Sequence, residues 1–286
     1  MSGRIFLANV GANSSHRFSG PLFRDGTFEF LPIPDDRDLS GPQVVRYRDL
    51  RSRNAPGRDL LRYVPRRLWD RPTHNDPEFD TFTYGDNCAT SPRAAALKNA
   101  TRGDYLFFIT RLEHRLNGGA RGDPGFFLIG FLEIDQVLRE VAASPCASEL
   151  ARFHRNAHVR RGLSDGRLWD GFWVFGGSAR SRRFHTAAPV TRRLACLALS
   201  DADGAPWKWD GGRTDLQVIG SYTRSCRCII DPELPKHRAR YDALWEWVGT
   251  YESDILVPDT TGGHTRVESR CVDHKGTDSG RRRIHR

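Results

Sequence analysis

The chain of 286 residues has one methionine, only four lysines and no long apolar run. No stretch approaches the roughly 18 consecutive apolar residues that a spanning helix needs. The opening MSGRIFL lacks the longer apolar region and the small-residue cleavage site of a secretory signal, so a soluble, cytoplasmic protein is expected. Close cysteine pairs are scarce. Of Cys88, Cys146, Cys196, Cys226, Cys228 and Cys271, only Cys226 and Cys228 are near each other, at CxC spacing. That spacing completes no four-ligand zinc site, and free thiols are expected. Also missing are GxGxxG after a strand, GxxxxGK[ST], GxSxG and HExxH, the signatures of dinucleotide, P-loop, serine-hydrolase and zinc-peptidase chemistry. His154 and His158 stand four apart with no acidic residue between them, in a segment that reads as a helix end. Hydrogen bonding at a helix terminus is expected there, and no metal.

What is abundant is arginine. Lys and Arg total 44 against 35 Asp and Glu, a net charge of +9, and 40 of the 44 are Arg. A mixed-sign solvated surface accounts for a charge this mild in so long a chain, and GC-rich coding accounts for much of the Arg bias. Guanidinium groups nevertheless suit phosphates and base edges through planar bidentate contacts. A polyanionic partner is thus allowed by the composition.

Hydrophobic periodicity predicts a strand-rich first half. Strands are expected at 5–10, 27–33, 105–110, 126–134, 169–175 and 194–199, with 105–110 and 126–134 pairing antiparallel through a long hairpin. Helices are expected at 94–100, after the Ser91–Pro92 start, and at 134–143, 148–154 and 235–248. The last places Tyr241, Leu244, Trp245 and Val248 on one face. Residues 37–70 read as irregular, with one short helix near Leu60. The fold class is α+β, with a mixed or antiparallel sheet or barrel core, helical insertions and a C-terminal helix. Residues 1–257 form a single elaborated domain, and the polar, Gly-rich 258–286 is a disordered basic tail.

Four polar clusters carry candidate chemistry. The loop after the first strand holds Asn9, Asn13 and His16. Its amides match the donor and acceptor edges of a base, and its imidazole titrates near neutrality; a self-satisfied polar turn accounts for it equally well. Asp25–Gly26 between apolar runs is a hairpin signal. Thr83-Tyr84-Gly85-Asp86 offers Tyr84 for stacking and Asp86 as either a loop cap or a base. The run FGGSARSRRF at 175–184 offers Ser178, Arg180, Ser181, Arg182 and Arg183 for phosphate, with Phe175 for stacking, against an exposed Arg-rich turn.

Taken together, RIFLANVGANSSH at 4–16 and SGPLFRDGTFEFLPIP at 19–34 resemble the third type of nucleotide modification associated domain, a family of bacterial and phage proteins. Further matches are TYGD at 83–86, GDYLFF at 103–108, NAH at 156–158 and FGGSARSRRF at 175–184. The resemblance implies association with DNA base modification. A second likeness, of residues 103–134 to the strand pair of PUA-like domains including the EVE and ASCH branches, implies a small barrel with an aromatic-lined cleft and Asn9 and Asn13 near its mouth. Three roles follow: a writer that modifies a base extruded from DNA, a reader that only grips one, or an enzyme of free nucleotides. In the first, His16 or Asp86 carries the proton, and Asn9, Asn13, Tyr84, Phe175, Ser178, Arg180, Ser181, Arg182 and Arg183 hold base and phosphate. DNA or a nucleotide is the expected partner, with other DNA-modification proteins beside it. No residue pattern specifies a cofactor.

Overall fold

The strand IFLANV (β1, Ile5–Val10) is apolar on both faces and lies inside the sheet. Alternate side chains enter two different cores. Phe6, Ala8 and Val10 join one, and Ile5 and Leu7 join the other. The computed structural model describes residues 3–116, 121–201 and 203–252, all within one compact unit. The tail expected from 258 lies outside them.

On one side β1 pairs in parallel with β6 (Tyr105–Arg115), from Ile5↔Tyr105 to Val10↔Thr110. On the other it meets β10 (Arg227–Ile230) antiparallel. The expected hairpin is present, since β6 pairs antiparallel with β7 (Arg121–Val141) from Tyr105↔Glu133 to Arg115↔Arg121. The strand β7 then runs on, pairing with β9 (Arg182–Pro189) through its first half and with β8 (Phe172–Gly177) through its second. On the outer side of β8 lies β5 (Thr83–Asp86), and β2 (Gly20–Leu22) extends the parallel side along β6. A separate pair joins β3 (Ile33–Pro34) to β4 (Thr73–His74).

The sheet is open, with β10 and β5 at the ends of the strand order. The closed barrel expected from the PUA-like likeness is not formed, and the α+β class with a mixed sheet is. One face is covered by α3 (Arg192–Ala198), α4 (Asp215–Tyr222) and α5 (Arg238–Glu252), which bury Leu194, Ile219, Tyr241, Leu244 and Val248 against Phe107 and Phe131. The short helices α1 (Ala147–Phe153) and α2 (Ala157–Ser164) sit over the far end of β7 and β8, around Phe153, Val159 and Phe172.

Three expected elements differ. Where a helix is expected at 134–143, residues 134–141 form strand. The register with β8 slips at 134–136 and 138–141, and such bulges leave Ile134, Val137, Leu138 and Val141 buried or half-buried at a spacing that imitates a helix. Residues 192–198 form helix, not strand: Thr191 caps it by accepting from the Leu194 N–H at 3.2 Å, and Leu194, Ala195 and Ala198 share its buried side. The segment 27–32 is extended but makes only isolated bridges, at Leu22↔Phe28 and Thr27↔Thr186, and Ile33 begins β3. The Asp25–Gly26 turn is a turn, with the Asp25 carboxylate accepting from Thr27 N–H and Oγ1 at 2.9 and 2.7 Å.

Candidate functional site

At the carboxyl end of β1 the chain turns sharply at Gly11, whose φ is +77°. A Cβ there would lie 2.7 Å from the Phe30 ring and 3.0 Å from the Leu31 carbonyl oxygen, so only glycine fits. The turn delivers Asn13, which caps the 3₁₀ turn Ser14–His16 by accepting from the Ser15 N–H at 3.0 Å. The Asn13 N–H donates to His16 Nδ1 at 3.2 Å, which places the imidazole proton on Nε2. Burial and the nearby Arg93 charge lower the His16 pKa, so the ring is neutral at pH 7.

This loop forms one wall of a cavity of about 480 Å³. Asn9, at the end of β1, also lines it and donates from Nδ2 to Thr223 Oγ1 at 3.1 Å. From β5 come Tyr84 and Asp86. The Tyr84 hydroxyl donates to Asp86 Oδ2 at 2.9 Å, and the Tyr84 ring packs against Phe108 at 5.5 Å. Burial raises the Asp86 pKa and outweighs the Tyr84 hydrogen bond that lowers it.

A further group occupies the same cavity. His74 from β4, Asp76 just after it and His158 from α2 converge there with Asp35 and Arg161. Asn156 sets this corner. Its Oδ1 caps α2 by accepting from the His158 N–H at 3.0 Å, and its Nδ2 donates to Asp76 Oδ1 at 3.2 Å. Asp76 Oδ2 accepts from the Gly85 N–H at 3.0 Å. Burial pushes the Asp76 carboxyl up, aided by the Asp86 and Glu78 charges, and pushes His158 down, aided by His74 and Arg161. Asp35 is held low, at about 2: burial works to raise it, but His74, the Arg37 N–H and Arg161 outweigh burial.

Asn9, Asn13 and His16 from one segment and Tyr84 and Asp86 from another, distant in sequence, therefore line one space. The 175–184 run does not join them. Phe175 is wholly buried in the core and presents no ring face for stacking. Ser178 and Arg180 both donate to the Glu133 carboxylate, Arg180 through Nε at 2.8 Å and again through Nη2. Ser181 Oγ accepts from the Glu133 N–H at 3.1 Å. Arg182 donates to the carbonyls of Ala179 and Ser181. Arg183 lies 4.3 Å over the Phe28 ring, donates to the Phe28 carbonyl at 3.0 Å, and lines a second cavity of about 440 Å³ with Arg53, Arg155 and Arg160. The Ser178, Arg180, Ser181 and Arg182 side chains thus make their hydrogen bonds to Glu133 and to backbone.

His154 and His158 also part company. His154 is exposed and contacts the Leu150 and Ala151 carbonyls at a helix end, whereas His158 opens the next helix and faces the cavity. His74, Asp76 and Asp35 escaped sequence reading. The usable signal was the His-x-Asp spacing at 74–76, which puts both residues on one side of an extended segment.

Neither the curated proteins nor the solved structures compared with this chain include a match. A family model does match, over residues 4–214. That span contains every cavity residue named above except Thr223. By that match the chain belongs to the family of nucleotide modification associated domain 3.

Proposed function

We propose that the 480 Å³ cavity holds a nucleobase or nucleotide, and that the protein takes part in modifying that base in DNA. The observation that carries this reading is the convergence of Asn9, Asn13, His16, Tyr84 and Asp86 on one space of ligand size. Among the described residues, Asn9 Oδ1 and Asn13 Nδ2 keep no protein partner. One is an acceptor and the other a donor, the complement that a base edge needs. His16 Nε2 and the raised Asp86 carboxyl are the proton carriers. Arg93 and Arg224 at the same cavity supply charge for a phosphate, and the net +9 favours a polyanion. DNA in the cytoplasm of a bacterial or phage-infected cell, acted on with other modification proteins, is the setting that this reading implies. Among the described residues no helix is long and apolar enough to cross a membrane.

The test is nucleoside mass spectrometry of genomic DNA from the native host with and without this gene. Loss of a nonstandard nucleoside, restored by the intact gene and not by a copy carrying His16→Ala and Asp86→Ala, supports a writer centred on this cavity. An unchanged profile removes the writer and leaves a reader or a free-nucleotide enzyme. Restoration by the double variant removes His16 and Asp86 from the chemistry.

A further inference from the structure

The three side chains His74, Asp76 and His158 are the metal-ligating types, and they point at one another. His74 Nε2 and His158 Nε2 each lie 3.7 Å from Asp76 Oδ2, and the three donor atoms all fall within 4.8 Å. A gap of 3.7 Å is too long for a hydrogen bond. Donor atoms bound tetrahedrally to one ion through ~2.05 Å bonds sit roughly 3.3 Å apart, so the two imidazole–carboxylate gaps are only a few tenths of an ångström wider than in such a set.

The surroundings fit a ligand set better than a polar knot. Asp76 and His158 are buried, and among the described residues Asp76 has no Lys or Arg within ion-pair distance; its two ion-pair neighbours are the imidazoles. A buried carboxylate whose only ion-pair neighbours are imidazoles keeps its charge uncompensated without a cation, even with two hydrogen-bond donors on it. The outer sides of the set are braced. Asn156 Nδ2 and the Gly85 N–H donate to Asp76. His74 Nδ1 faces Asp35 Oδ2 at 3.6 Å, the carboxylate-behind-histidine arrangement that orients metal ligands. Gly85 lets the set close: a Cβ there would meet the His158 ring at 2.6 Å and Asp76 Oδ2 at 3.2 Å.

We propose that His74, Asp76 and His158 bind a divalent transition-metal ion, of the zinc or ferrous class, at the wall of this cavity. Two imidazoles and one carboxylate leave coordination positions free, the ligand count of a catalytic rather than a structural site. All three residues line the cavity, so those positions face whatever the cavity holds. As a part of the modification chemistry the ion rests on the reading of this cavity as the chemical centre, but binding of the ion itself does not need a nucleotide.

The experiment therefore uses metal alone. Full-length protein is stripped with chelator and titrated with Zn²⁺ by equilibrium dialysis and metal analysis. The Zn-loaded protein is then measured by X-ray absorption at the zinc edge. One ion per chain is expected, with scattering from imidazoles and oxygen. Affinity should fall at least ~10-fold in His74→Gln, Asp76→Asn and His158→Ala, and stay unchanged in His154→Ala. The absence of stoichiometric binding by the wild-type chain overturns the site. So does sulfur scattering, which would place the ion on cysteines, or full affinity in the folded variants. Should the buried variants misfold, the wild-type spectrum decides alone. A nucleotide that binds where zinc does not, or the reverse, tells the two readings apart.

Discussion

Gly11 determines whether the loop carrying Asn13 and His16 reaches the cavity at all. Its positive φ and the 2.7 Å approach of the Phe30 ring make Gly11→Ala costly, by about 1–3 kcal/mol, read as a lower denaturation midpoint at an unchanged slope. The thiols sort by burial in the same way. Burial pushes Cys88 and Cys226 up to about 12, while Cys146 and Cys196 are exposed. A thiol reagent at pH 7.5 should modify Cys146 and Cys196 within minutes and reach Cys88 and Cys226 only on unfolding, as peptide mapping will show. Glu133 illustrates a residue invisible in the sequence. Burial works to raise its pKa, yet the hydrogen bonds from Ser178 and Arg180 outweigh that and lower it from its ordinary 4.5. A lowered carboxyl stabilises the fold above its unfolded value and loses that contribution as pH falls through the folded one. The stability gap between wild type and Glu133→Gln should thus be fully present above about pH 5 and close as the pH drops below about 4, as denaturant melts across that range will show.

At the scale of elements, Asn156 carries two tasks. It caps α2 and holds Asp76 from one side. Asn156→Ala should cost about 1 kcal/mol for the cap and a further ~1–3 kcal/mol for the buried acceptor left behind. Thr191→Ala, which removes only the α3 cap, should cost about 1 kcal/mol, so denaturant midpoints of the two variants separate the effects. Strands with a nearly continuous apolar run were legible: 5–10 and 105–110 are broken only by Asn9 and Thr110 near their ends and have no competing period. The stretch 134–143 was not, because bulges in β7 shift which residues face inward, and the resulting spacing satisfies the helical template as well. The stretch 192–199 failed for the opposite reason. Leu, Ala and Cys in short succession carry no period of their own, and the Thr191 cap is the only local mark of a helix. Pairing with β8 settled the first case, and packing on α5 the second.

For the whole molecule, charge governs encounter. If the proposed DNA partner is right, the net +9 and the arginines at both cavities should make affinity for DNA fall steeply with salt. Each neutralised phosphate adds a slope of about −0.9 to log K against log salt, and Arg93→Ala and Arg224→Ala should each reduce the slope by about 1. Fluorescence anisotropy on a labelled oligonucleotide at several salt concentrations measures this, and a flat response in the wild-type chain would argue for a free nucleotide as ligand.

The sequence by itself determined the α+β class, the long hairpin, the C-terminal helix and the loop at the end of β1. These are properties of local apolar period and turn chemistry, which a short window of residues carries. It also singled out Asn9, Asn13, His16, Tyr84 and Asp86, because polar side chains crowded at strand ends stand out against apolar runs. Only the tertiary structure decided that these five share a cavity, that the Arg-rich 175–184 loop is spent on Glu133, and that His158 leaves His154 for His74 and Asp76. The reason is distance along the chain. His74 and His158 are brought together by the β3–β4 pair and the start of α2, and no local pattern records a contact between segments more than 80 residues apart.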